Sequence, residues 1–276
     1  MATAYLTSGA TSLAAGSWSD AAGFAAAAEL VISDGAQTIT TALDQAAGGD
    51  IRFLRIGPQY AGVIGSGSNP LITDATDGTA AEWTSAVPNE GRIVHGGSRT
   101  IYLQTSAGGV SNYHHMGPGT TEISAGTVSF AKAFGGQTNI GPSTIVTNQE
   151  VHAGASVFLD AGAGTIATLS VFGGACVCRR PASSAINLYG GTLTLDITSG
   201  TTPAVNHFGG TLILLSGSTI TAYVGRAGTL NVNQLRRDTT ITTFTHGAGL
   251  AFSARGGGAT LTVTNDVKTD EATRSI

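Results

Sequence analysis

From about residue 153 onward the chain repeats one short pattern: glycines or other small residues, then a strand with an apolar residue at every second position. It reads Gly154-Ala155-Ser156-Val157-Phe158-Leu159, then Gly173-Gly174-Ala175-Cys176-Val177-Cys178 and Gly190-Gly191-Thr192-Leu193-Thr194-Leu195. Gly209-Gly210-Thr211-Leu212-Ile213-Leu214 and Gly228-Thr229-Leu230-Asn231-Val232 follow. The first apolar positions are 157, 176, 193, 212 and 230, with steps of 19, 17, 19 and 18 residues. A second strand in each period is marked by Ile166, Ile186, Val205, Ile220 and Ile241. An aromatic residue, Phe172, Tyr189 or Phe208, stands just before three of the glycine pairs.

A period near 19 with short strands predicts an all-β protein whose C-terminal half is a parallel β-helix. One such coil cannot bury its own apolar face. Stacking coils about 4.8 Å apart pairs each strand with those above and below it and lines like side chains into ladders. Alternation sends 157/176/193/212/230 and 159/178/195/214/232 inward. The outward column is Phe158, Val177, Thr194, Ile213 and Asn231. Three of these five are apolar, so Phe158, Val177 and Ile213 are candidate interface residues, covered by another subunit or domain.

Residues 1–123 lack the clean period. Extended candidates are Leu30–Ile32, Thr38–Thr40, Ile51–Ile56, Arg92–Val94 and Arg99–Leu103, separated by turn signals such as Gly48-Gly49-Asp50 and Gly108-Gly109. Thr41 to Ala47 is long enough for one or two helical turns. The expected organisation is an irregular β-rich region over 1–123, a β-helix over 124–264 and a charged tail or arm over 265–276. That last segment holds Asp266, Lys268, Asp270, Glu271 and Arg274.

Composition narrows the class. Charged residues are 11 % of the 276, against roughly 25 % in an ordinary domain, and glycine contributes 40. Basic runs stop at Arg179-Arg180 and Arg236-Arg237, so nucleic-acid binding is not expected. The apolar run 21–28 is far shorter than the roughly 20 residues a membrane span needs. The first basic residue is Arg52, which leaves no positive start for an export signal. A chain made in a cytosol is expected. All five charges before Arg52 are acidic (Asp20, Glu29, Asp34, Asp44 and Asp50), and such a region suits a basic partner surface.

The chemistry-bearing residues are few. Asp160 and Asp196 each follow their ladder start by three residues, two coils apart, hence roughly 9.6 Å in a regular stack. That lies near the upper edge of an inverting glycosidase pair. Arg179 holds the same position on the coil between them, so the column reads as an alternating charge ladder. Cys176 and Cys178 fall on inward ladders and read as small buried apolar residues. His114-His115, beside Tyr113 and Met116, reads as a loop pair. Adjacent strand residues point to opposite sides, so the two make poor joint ligands, although one could meet its copies around a threefold axis. Trp18 and Trp83 read as core or interface anchors. No catalytic residue, metal site or cofactor site is expected.

The opening Met1-Ala2-Thr3-Ala4-Tyr5-Leu6, with Gly9-Ala10-Thr11-Ser12-Leu13 and Trp18-Ser19-Asp20, resembles the start of tailed-bacteriophage virion proteins. The composition and the Gly-Gly-Thr-Leu coils are similar to phage capsid decoration (cement) and head-fibre proteins with short β-helices. The resemblance implies a non-enzymatic homotrimer on the capsid surface, clamping neighbouring major capsid proteins, in a particle built in the host cytoplasm. The alternative is a tailspike or receptor-binding fibre with glycan-hydrolase activity.

Overall fold

The computed structural model describes residues 3–14, 17–19, 29–44, 53–75, 92–254 and 258–269. Strands dominate them, nearly all paired in parallel, and no α-helix occurs among them. The chain forms two compact units, Met1–Val146 and Thr147–Ile276.

The second unit is a parallel β-solenoid. Ser156–Leu159, Ala175–Cys178, Thr192–Leu195 and Thr211–Leu214 stack without a register shift and lead into the end of Thr219–Asn231. Val157, Cys176, Leu193, Leu212 and Leu230 form one column, each buried to 1 % exposure or less. Leu159, Cys178, Leu195 and Leu214 form the next, equally dry. Both are the ladders expected from alternation.

The opposite face differs from the sequence reading. Leu169, Ile186, Val205, Tyr223 and Phe244 share one column. Ile166 pairs instead with Ala182, and Thr202, Ile220, Ile241 and Val263 align separately. The expected series from Ile166 to Ile241 therefore mixes two columns. The cause is the connection between the two strands of a coil, which spans three residues at 179–181 and seven at 232–238. The last strand, Leu261–Lys268, pairs with Thr239–His246. Residues 265–268 thus belong to a coil and not to a tail, while 270–276 lie outside the described residues.

Stacking also organises the first unit. Ala4, Leu30, Leu54, Ile93, Tyr113 and Ala131 are successive partners in one buried column. Their spacings are 26, 24, 39, 20 and 18 residues. The irregularity lies in long connections, which hide the coil from any search for a period. Over 41–44 there are bridges to Ser12 and Ile72 and no helical turn, and Ala42 sits at a positive φ of 53°, while 45–47 lie outside the described residues. Trp18 is buried and its Nε1 donates to the Leu13 carbonyl at 3.1 Å. Trp83 lies outside the described residues.

His114 and His115 stand in the strand Thr100–His115, not in a loop. His115 points inward and stacks on His95, one coil away, with ring centroids 4.7 Å apart. Nδ1 of His95 shares a hydrogen bond with the Thr121 hydroxyl at 2.8 Å, and Nδ1 of His115 one with Thr138 at 2.9 Å. Tyr113 donates to the same Thr121 hydroxyl. Burial, aided by mutual repulsion, holds His95 down at about 3, and burial holds His115 at about 4.

Candidate functional site

One corner of the second unit carries a column of part-exposed rings. In each coil the residue before the glycines donates its backbone N–H to the coil below: Phe172 to Val151, Tyr189 to Val171 and Phe208 to Leu188, each at 2.8 Å. Identical backbone geometry gives identical side-chain direction. The rings of Phe172, Tyr189 and Phe208 therefore stack with centroids 4.9 and 5.0 Å apart and planes within 8°. His152 extends the stack below Phe172 at 5.1 Å, and the Arg226 guanidinium closes it above Phe208 at 5.6 Å. The sequence pattern picked out the three aromatics. It missed His152 and Arg226, because each is followed by alanine and glycine and not by two glycines.

Phe172 and Tyr189 are each 46 % exposed and Phe208 36 %. Their faces are occupied by one another, so solvent meets ring edges. A sugar platform needs a free face, whereas an apolar ridge of edges suits a flat or ridged protein surface. Hydrogen-bonding columns flank the ridge. Asn206 donates to the Asn187 side chain at 2.9 Å on one side, and Thr192, Thr211 and Thr229 align on the other. An apolar centre with a polar rim is the usual anatomy of a protein interface. Glu150 bonds His152 at 3.1 Å, and Arg226 above Phe208 is exposed. Arg226 also lines an open groove of about 640 Å³ with Val224, Gly225, Thr245, Gly247 and Thr269.

Tyr189→Ser removes two stacking contacts, each worth about 1 kcal/mol. The expected result is a fall of a few degrees in melting temperature, readable by calorimetry, with the strand signal in circular dichroism unchanged.

The charged residues form a second cluster. Asp196, 9 % exposed, forms an ion pair with Arg179 at 3.4 Å and accepts a hydrogen bond from Arg237 at 3.3 Å. Asp160 instead accepts the N–H of Ala161 at 2.8 Å, while its carbonyl takes Nε of the buried Arg180 at 2.7 Å. The expected ladder thus joins Arg179 to Asp196, with Arg237 as an added partner that spacing did not reveal. Asp196→Asn is expected to cost about 1 kcal/mol in a denaturant titration, since both guanidiniums are substantially exposed.

Phe158, Val177 and Ile213 do share one outward column, but each is only half-buried, and the Arg179 guanidinium lies 4.7 Å above the Phe158 ring. Cys176 and Cys178 are free and buried. The Cys178 thiol donates to the Arg180 carbonyl, and burial pushes it up to about 11. Among the described residues no three His, Cys, Asp or Glu side chains gather as metal ligands would. No protein-family model, curated protein or solved structure matches this chain.

Proposed function

We propose that this chain is a non-enzymatic structural protein of a tailed-phage particle, which decorates the capsid and stabilises it. The observation that carries this reading is the rigid column of exposed stacked rings, a binding surface held by every coil beneath it. A solenoid with a dry interior is a stiff ruler, and a stiff surface loses little conformational entropy when it binds. Asp196 is held by Arg179 and Arg237, so its oxygens serve structure. The partners are the major capsid protein and further copies of this chain.

Stabilisation works by mass action. A protein that binds the assembled shell but not its dispersed subunits shifts the balance toward the shell by RT ln(1 + [L]/Kd). The experiment compares phage particles assembled with and without this chain, under heating and osmotic shock. Particles lacking it are expected to release DNA at lower temperature, and re-adding the purified protein restores them. Equal release from both kinds of particle overturns the reading.

A further inference from the structure

We infer that the corner column has a vacant rung at Gly247, a slot that takes one aromatic side chain of a partner protein against Arg226. The corner residue of each coil follows the column His207, Gly225, His246 and Lys268, so the corner reads Phe208, Arg226, Gly247, Thr269. Phe208 and Thr269 both donate their backbone N–H to that column on the coil below, to Leu188 and His246. Gly247 thus stands in line with the rings and offers no side chain. The Arg226 and Thr269 rungs lie two coil spacings apart, roughly 9.6 Å. Rings in the filled part of the column sit 4.9 and 5.0 Å apart, so the gap is one rung high.

The groove of about 640 Å³ beside Arg226 is this slot, with Gly247 and Thr269 among its walls. Its volume is that of a small-ligand cleft. Apart from its chain neighbours, a Cβ added at Gly247 would meet only the Thr269 hydroxyl oxygen, at 3.5 Å, and the glycine's φ lies outside the left-handed region. The coil also gains a residue here. Gly225 pairs with His246 and Ala227 with Gly249, so Gly247 and Ala248 together face Arg226. Such a bulge bends the strand and breaks the ladder locally. Arg226 is exposed, and among the described residues its guanidinium meets only the Phe208 ring, at 5.6 Å. Phe208 takes the side below, and the slot leaves the side above for a second ring, a cation–π contact. The Thr269 hydroxyl donates to the His246 carbonyl at 3.2 Å, and its oxygen still accepts from a phenol or indole edge. A bare carboxylate would meet Arg226 in water, where an ion pair gains little. A ring also buries apolar area and continues the stack.

Only the ridge's meeting with a protein is taken from the capsid reading, and the purified full-length chain is enough for the test. The probe is N-acetyl-tryptophanamide, followed in NMR through the amides of Gly247, Ala248 and Thr269 and the side-chain N–H of Arg226. Saturable ring-current shifts at millimolar probe are expected, with none from N-acetyl-leucinamide or acetate. Arg226→Ala is expected to weaken binding about fivefold. Gly247→Tyr is expected to abolish binding by filling the slot from within, while raising the melting temperature by a few degrees. A variant that is more stable and yet does not bind separates a filled slot from lost folding. No saturable shift in wild type, equal shifts from leucinamide or acetate, or undiminished binding by Gly247→Tyr overturns the inference. Binding seen only in a variant ending at Thr269 also overturns it, since residues 270–276 would then hold the place assigned to a partner. Particle stability is untouched by these outcomes and tests the capsid reading separately.

Discussion

Lowering the pH from 7.5 to 5 is expected to destabilise the first unit by about 4 kcal/mol, through His95 and His115. Both rings are buried, at 1 % and 0 % exposure, and stack inside the coil. Burial disfavours their charged forms, so their folded values, about 3 and about 4, lie below the ordinary 6.5. Above 6.5 both states are neutral and the full stability is present. As pH falls below 6.5 the unfolded chain takes up two protons that the folded chain refuses until near 4 and 3. Each ring then loses about 1.4 kcal/mol per pH unit. The groups packed against the rings are the hydroxyls of Thr121 and Thr138, and Tyr113 shares Thr121. Burial keeps the Tyr113 hydroxyl protonated throughout this range. Hydrogen exchange at amides 93–95 and 113–115, followed from pH 7.5 to 5 after correction for intrinsic rates, reads the effect. The double variant His95→Asn/His115→Asn should flatten the profile. A slope unchanged in that variant would show that the rings are not its source.

Gly191→Ala is expected to cost about 4 kcal/mol. Gly191 has φ +72°, a region where a side chain costs roughly 1–2 kcal/mol. A Cβ there would also lie 2.5 Å from the Gly174 carbonyl oxygen of the coil below. Relieving that overlap requires the coils to part, typically at 1–3 kcal/mol. Gly174, Gly210 and Gly228 repeat both features. Gly9, at φ +81° with no atom within 4 Å of an added Cβ, isolates the conformational part. Its alanine variant should lose only about 1 kcal/mol. Thermal unfolding of both variants provides the comparison, and equal losses would exclude coil-to-coil approach as the cause.

The inner ladder was legible because the connection from each aromatic corner into the following strand is short and constant, so sequence spacing equals spatial register. Leu193, Leu212 and Leu230 needed nothing more. The opposite face was not legible, because connections of three to seven residues shift Ile166 away from Ile186. In the first unit the step of 39 residues from Leu54 to Ile93 hides the coil altogether. Of the charged column, Arg179 with Asp196 followed from spacing. Arg237 did not, since it stands in the long 232–238 connection. His115 lacked a readable partner because His95 lies on a neighbouring coil.

The sequence alone determined which side chains face inward. Strand alternation has a period of two, and burying apolar area stabilises only one of the two faces. It also placed the corners, where the glycines stand. Only the tertiary structure decided which inward residue meets which on the next coil, and that Phe172, Tyr189 and Phe208 spend their faces on one another. Those outcomes depend on loop lengths and on backbone contact between coils, which join residues far apart in the chain and leave no local trace in it.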